Sequence, residues 1–271
     1  MKLAADDVRA SNAILFGIPF TTLNMRQVCD LMLEEIPEGM GVRAVVTANV
    51  DHIVRLTNDS NLRSAYSNAW LRTVDGIPVF AYSRCLSLGI SHLPGADIVP
   101  QLLERLTPGV HRPFFVVAND SLGLMLIEWL QARGFSRNEV SFCSPPFGFE
   151  GLPVEQSKLA ARVREHKPTH LFMGIGCPRS EIWLDRFREE LGDLYALSVG
   201  AALAFHVGAM RRAPTPFRAV GMEWLWRMFS EPRRMAKRYL VQSWPFFEVV
   251  LKDIYSRIFG RYGYNIGISI N

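Results

Sequence analysis

No stretch of this 271-residue chain reaches the ~18 consecutive apolar residues that a membrane-spanning helix needs. The opening residues, MKLAADDVRA, carry acidic side chains where a secretory signal would carry an apolar run. Together these absences predict a protein that is neither secreted nor integral to a membrane. Cysteine is scarce: Cys29, Cys85, Cys143 and Cys177 are scattered, with no CxxC pair and no histidine at a zinc-ligand spacing. A disulfide scaffold is thereby excluded, and free thiols in a reducing cytosol with no metal are expected. No segment repeats at a period of roughly 20–50 residues, which removes solenoids.

What the chain does have is core-forming material. Hydrophobic residues make up 49% and charged residues 21%, the balance of a globular protein with a substantial interior. The formal charge of +4 is unevenly spread. From Arg211 onward, 11 lysines and arginines stand against 4 acidic residues, whereas the preceding part is slightly acidic. A basic tail on an acidic body seeks phosphates, on lipid head groups, nucleotides or nucleic acid.

Short β-branched or aromatic runs alternate with longer amphipathic ones. Strands are expected at 44–48, 71–74, 114–118, 140–143, 170–173 and 194–199, and helices at 52–67, 97–106, 122–133, 154–165 and 180–191. Such alternation predicts an α/β fold with a mostly parallel sheet covered on both faces. After Met210 the texture changes. Pro214 and Pro216 mark a linker, followed by helical segments with Pro232 and Pro245 in first turns. The expected organisation is an α/β catalytic domain over residues 1–210 and a basic, aromatic-rich helical appendage over 211–271.

Several expected strands end in glycine or a small polar residue just ahead of a helix, the place where open parallel sheets bind ligands. Helix starts there favour anions, so a nucleotide diphosphate is a natural guest. Asp75 follows a strand and precedes Gly76, which allows close chain approach, so its carboxylate could take a proton from a hydroxyl. An AspGly pair also describes a plain turn. Thr47 and Asn49 could hydrogen-bond a sugar or base, and Asn49 could equally cap the next helix. His92, Gly95 and Asp97 precede another helix, and Asp97 reads equally as a helix start. Gly174, Gly176, Pro178, Arg179, Ser180 and Glu181 form a tight turn into a helix. Arg179 opposes the helix macrodipole there, which points to work on an anion. In the tail, Arg234 and Arg238 share one helical face, and Arg227 lies one helix earlier. The same charges, interleaved with Trp224, Trp226 and Tyr239, also suit a helix in a lipid interface.

In order along the chain, these segments resemble the WecG/TagA/CpsF family of glycosyltransferases. ThrAlaAsnValAsp (47–51) is similar to the family's Thr-x-Asn, and ThrValAspGlyIleProVal (73–79) to its Pro-Asp-Gly-Ile-Gly. LeuProGlyAlaAsp (93–97) looks like Val-Thr-Gly-x-Asp, and GlyIleGlyCysProArgSerGlu (174–181) like Gly-x-Gly-x-Pro-Lys-Gln-Glu. The closing signature spans ArgAlaPro (212–214), GlyMetGluTrpLeuTrpArg (221–227) and GluProArgArgMetAlaLysArgTyrLeu (231–240).

The resemblance implies a Rossmann-like sheet flanked by helices with a C-terminal membrane-associating appendage. It implies an inverting, metal- and cofactor-independent transfer from a UDP-sugar to a lipid-linked glycan, at the cytoplasmic face of the cell membrane, in exopolysaccharide or envelope-polymer synthesis. Asp75 matches the family's proposed base, Thr47 and Asn49 its sugar pocket, and Arg227, Arg234 and Arg238 the arginines expected over the diphosphate. A homo-oligomer is among the partners implied; nucleic acid is not. Val74, His92 and Ser180 depart from the family's proline, arginine and glutamine, and border the nucleotide-sugar site. The His92 and Ser180 departures motivate an alternative: an inactive membrane-attached scaffold or UDP-sugar-binding subunit of a polysaccharide assembly.

Overall fold

The computed structural model describes residues 11–214, 216–217, 223, 225–226, 244–260 and 266–267. The chain opens with a hairpin, β1 (Asn12–Leu15) and β2 (Ile18–Thr21). Its two-residue loop, Phe16–Gly17, has positive φ at both positions, as a type I′ turn requires. Phe16 tolerates that conformation because its ring is fully buried, stacked on Tyr82 and edge-on to Phe246. Helix α1 (Met25–Met32) follows, begun by a reciprocal Asn24–Gln27 capping box.

The main sheet has six strands: β3 (Val42–Ala48), β4 (Leu71–Val74), β5 (Pro113–Val116), β6 (Ser141–Cys143), β7 (His170–Met173) and β8 (Leu194–Ser198). All neighbours pair in parallel, in the order β4-β3-β8-β7-β5-β6. β4, β5, β7 and β8 are buried at every position, which is why they read as continuous apolar runs. The expected α/β architecture with a parallel sheet is thus present.

Alternate residues of each strand feed two apolar layers. On one face, Val45, Phe115, Phe172 and Leu197 pack with α1, α5 (Gly95–Leu103), α6 (Asp120–Gln131) and α9 (Ala202–His206). On the other, Val46, Ala48 and Val74 pack with the hairpin, α2 (Val50–Leu56), α3 (Ser60–Asn68) and α4 (Ile77–Cys85). The same face continues under β5, β7 and β8, where Phe114, Leu171 and Ala196 meet α7 (Pro153–His166) and α8 (Arg179–Phe187).

The single helix expected over 52–67 is two helices. Asp59 caps α3 by accepting from the N–H groups of Asn61 and Leu62, and Thr57 returns its hydroxyl to the Val54 carbonyl. These short polar side chains offer the backbone local partners that interrupt a helix. The hairpin and α1 were not expected from the sequence pattern.

Helix α10 (Pro245–Phe259) has Pro245 in its first turn, as anticipated. It turns Phe246, Val249 and Asp253 onto the hairpin side of the sheet. Asp253, fully buried, accepts from the Tyr82 hydroxyl (2.7 Å) and from Arg257 (2.6 Å). No described helix is long and apolar enough to cross a membrane.

Candidate active site

Four neighbouring strands, β4-β3-β8-β7, finish at one edge of the sheet and set out the sequence-marked residues side by side. Asp75 follows β4. Its backbone N–H donates to the Ala48 carbonyl (2.8 Å), and so does that of Gly76 (3.2 Å), so the Asp75–Gly76 turn hangs from the end of β3. A Cβ on Gly76 would stand 3.0 Å from Asn49 Cα and 3.3 Å from Val50 N, so the close approach needs glycine. Asp75 itself is half-buried.

Thr47 is buried and donates its hydroxyl to the Ser198 carbonyl (3.0 Å), tying β3 to β8. Asn49 caps α2, its side chain accepting from Asp51 and His52 N–H groups at 3.0 and 3.4 Å. Of the two roles open to Asn49, capping is therefore filled. The half-buried side chain still stands at the shelf edge beside Gly76.

The segment after α4 runs back along β4. Leu93 N–H donates to the Val74 carbonyl, and Thr73 donates to the Leu93 carbonyl. His92 Nε2–H donates to the Asp75 backbone carbonyl at 2.8 Å, and its ring stacks on Phe80. His92 thus braces the Asp75 turn. A Cβ on Gly95 would stand 3.4 Å from Val199 Cα at the end of β8. Asp97, in the first turn of α5 and not its cap, receives Arg212 Nη1 at 2.6 Å. Burial alone would lower the Arg212 guanidinium; the bond and charge of Asp97 outweigh it, with Glu223 and Asp75 adding, and the net shift is upward.

The Gly174–Glu181 turn follows β7. A Cβ on Gly174 would lie 2.8 Å from Leu203 Cδ1 and 3.1 Å from the Val116 carbonyl. Gly176 has φ +80°, a left-handed conformation that favours glycine. Pro178 is the residue before α8. Arg179 folds back, Nη2 donating to the Ile175 carbonyl at 2.5 Å, which satisfies in part a cation misplaced at a helix start. Ser180, buried, sends its hydroxyl to the Gly176 carbonyl (3.3 Å).

Glu181 is 3% exposed. Burial pushes its carboxyl up to about 7, against the pull of its own N–H and the nearby Ser198 hydroxyl. Among the described residues, neither Glu181 Oε2 nor Ser198 Oγ finds a hydrogen-bond partner.

The structure therefore brings Thr47, Asn49, Asp75, Gly76, His92 and Gly95 to one shelf, with the Gly174–Glu181 turn along the same edge. Arg227, Arg234 and Arg238 lie outside the described residues. Sequence reasoning missed Arg212, although its position ahead of Ala213 and Pro214 in the closing signature was visible. It also missed His52 and Tyr66, which carry no spacing signal and meet Glu181 only in three dimensions.

Comparison with known proteins bears on these residues together. The model of the glycosyl transferase WecG/TagA/CpsF family matches residues 13–258. The chain belongs to that family. A relative from Staphylococcus aureus strain MRSA252, named N-acetylglucosaminyldiphosphoundecaprenol N-acetyl-beta-D-mannosaminyltransferase, is 25% identical over 239 residues, covering 86% of this chain and 89% of the relative. The protein of the same name from strain MW2 is 24% identical over the same share of each chain. WecG/TagA/CpsF membership thus spans both the strand-end shelf and helix α10.

Proposed function

We propose that this chain is an inverting glycosyltransferase that moves a hexose or N-acetylhexosamine-type sugar from UDP to a glycan carried on a polyprenyl diphosphate. The product belongs to an exopolysaccharide or other cell-envelope polymer. The observation that carries the reading is Asp75, a half-buried carboxylate whose turn is fixed by Ala48 and His92 beside Thr47, Asn49 and Gly76. The relatives' names, which pair a mannosaminyl transfer with a diphosphoundecaprenol-linked N-acetylglucosamine, support the acceptor class.

In this scheme the acceptor hydroxyl attacks the anomeric carbon as Asp75 takes its proton. The new glycosidic bond forms while the bond to the diphosphate breaks, and UDP leaves with the electron pair. Fixed positive charge stabilises that leaving group. Arg227, Arg234 and Arg238 are assigned this role by their match to the family's closing signature, and it stands in for a divalent ion. Thr47, Asn49, Gly76, Gly95 and the 174–181 turn would line the donor site. The Arg212–Asp97 pair would hold its rim.

Cytoplasmic work at the inner membrane face follows from the chemistry of a nucleotide-sugar donor and a lipid acceptor. Helix α10 adds support: Trp244, Phe247, Leu251, Tyr255 and Ile258 form an exposed apolar row on the side away from the body. The scaffold alternative is not favoured, because His92 and Ser180, the departures that motivated it, make bonds that hold the shelf together.

The decisive variant is Asp75→Asn. Removing a general base costs roughly 10²–10⁴-fold in rate, so transfer to a lipid-linked acceptor should fall by that factor while the melting temperature and UDP binding stay near wild type. Turnover close to wild type would eliminate Asp75 as the base.

A further inference from the structure

We propose that His52, Cys177 and Glu181 form a binding site for one zinc-type divalent cation, set under the strand-end shelf and pinning α2 to the 174–181 turn. The three side chains offer a ring nitrogen, a thiol sulfur and a carboxylate oxygen, all within 4.8 Å of one another. Zinc accepts a mixed set of three protein ligands with a water as the fourth, at bonds of about 2.0–2.3 Å that place ligand atoms roughly 3.5 Å apart. The observed cluster needs to close by about an ångström, within reach of side-chain torsions.

Three further observations favour a cation over a chance meeting. Glu181 is almost wholly buried with Oε2 unpartnered among the described residues, and a buried carboxylate oxygen calls for a positive partner. His52 is also buried, and its Nδ1 lies 2.7 Å from the Tyr66 hydroxyl. In the proposed site Nδ1–H donates to Tyr66 and Nε2 turns to the metal, the arrangement that orients metal-bound histidines. Tyr66 is fully buried on α3, and α3 is clamped to α8 by Ser64 and Asn68, which both donate to Asp185. Tyr66 and the helix that bears Glu181 are thus held together independently of the cation.

Binding would release the Cys177 thiol proton to solvent and leave the thiolate on the metal. Its structural consequence is local. α2 is capped by Asn49 and the turn contains Gly174 and Gly176, so one cation would lock two borders of the donor site to each other. The transfer chemistry proposed above draws nothing from it, and its test needs no turnover.

The full chain, dialysed against a strong chelator, is titrated with Zn²⁺ and with Co²⁺. The expected results are one equivalent bound per chain, a cobalt–thiolate charge-transfer band in the near ultraviolet, and a higher melting temperature with Zn²⁺. Cys177→Ser, at a half-buried position, should abolish the band and the thermal shift, whereas Cys85→Ser should keep both. Glu181→Gln should weaken Zn²⁺ at least about tenfold. A wild-type chain that shows no cobalt–thiolate band, or a band that survives Cys177→Ser, overturns the proposal.

Discussion

Arg212 Nη1 lies 2.6 Å from Asp97 Oδ1, while its Nε stands 3.7 Å from Glu223 Oε2. One guanidinium thus joins the first turn of α5 to a residue of the closing signature. The Arg212 side chain is 19% exposed and that of Asp97 40%, so solvent screens part of the attraction. Arg212→Ala should cost about 1–2 kcal/mol in urea unfolding, at or below the low end of the range for charged hydrogen bonds because of that screening. It should also weaken UDP binding by loosening the rim. Arg212→Lys, which keeps the charge but loses the fork, should recover stability better than affinity. Unchanged UDP affinity in Arg212→Ala would remove the pair from the donor site.

Gly76→Ala tests the shelf directly. The added methyl meets Asn49 and Val50 backbone atoms, which cannot swing aside as a flexible side chain would. The turn carrying Asp75 must therefore shift away from β3. A misplacement of about 1 Å can cost on the order of 10²-fold in rate, and the shift needed here is a fraction of that, so kcat should fall by about 2- to 10-fold. Overpacking should also cost about 1–3 kcal/mol of stability. Gly151→Ala, which meets no neighbour within 4 Å, is the matched control and should leave both unchanged.

The main sheet was largely legible in the sequence because its strands are buried on both faces. Leu71–Val74 and His170–Met173 fall where the apolar runs placed them, and the other four strands shift by one or two residues at their ends. The hairpin was not legible. Its strands are four residues each, and its turn puts Phe16, a residue with no turn signature, at positive φ. Only burial against Tyr82 and Phe246, far away in sequence, makes that conformation affordable. At the site, Asp75 and Gly76 were visible because a polar residue and a glycine at a strand end are local signals. The His52–Cys177–Glu181 cluster was invisible, because proximity between residue 52 and residues 177–181 is created by the packing of α3 on α8. Arg179 gave a local signal that is partly answered locally, by the Ile175 carbonyl.

Asp253 anchors α10, and its removal should undock the helix. The carboxylate is fully buried and holds both Tyr82 and Arg257, and Arg257 also donates to the Ile14 carbonyl of the hairpin. Breaking a buried charge pair from one side typically costs about 3–5 kcal/mol, so Asp253→Ala should lose stability on that scale. Tyr82→Phe removes one hydrogen bond to the same carboxylate and should cost less, about 1–2 kcal/mol. Protease protection of the 245–259 segment, followed by mass spectrometry, should fall in the same order.

The exposed row of α10 makes a separate prediction about membranes. Replacing Phe247, Leu251 and Ile258 by serine removes apolar area that faces away from the body, so folding should be nearly unaffected. Full burial of such a side chain is worth about 1.5–3 kcal/mol. Interfacial binding realises part of that, so the triple variant should sediment with anionic vesicles at least about tenfold more weakly. Undiminished sedimentation would assign membrane contact to another part of the chain.

His170 sets the acid limit of the fold. The ring is buried at the start of β7, where Nε2–H donates to the Met32 carbonyl (2.8 Å) and Nδ1 faces the Thr169 hydroxyl (2.9 Å). Burial, with the neighbouring His111 adding, lowers its pKa from 6.5 to about 4, against the pull of the Met32 carbonyl. The folded state therefore keeps the ring neutral where the unfolded chain already binds a proton. The sign follows: the His170 contribution is whole above pH 6.5, declines as pH falls towards 4, and levels off below that. A shift of this size amounts to at most about 3 kcal/mol. His111 and His166, also lowered by burial, act in the same direction. Urea midpoints measured between pH 7 and 4.5 should fall steeply in the wild type and less steeply in His170→Gln, which cannot take up the proton. Parallel slopes for the two proteins would show that the acid sensitivity arises from the carboxylates and not from this ring.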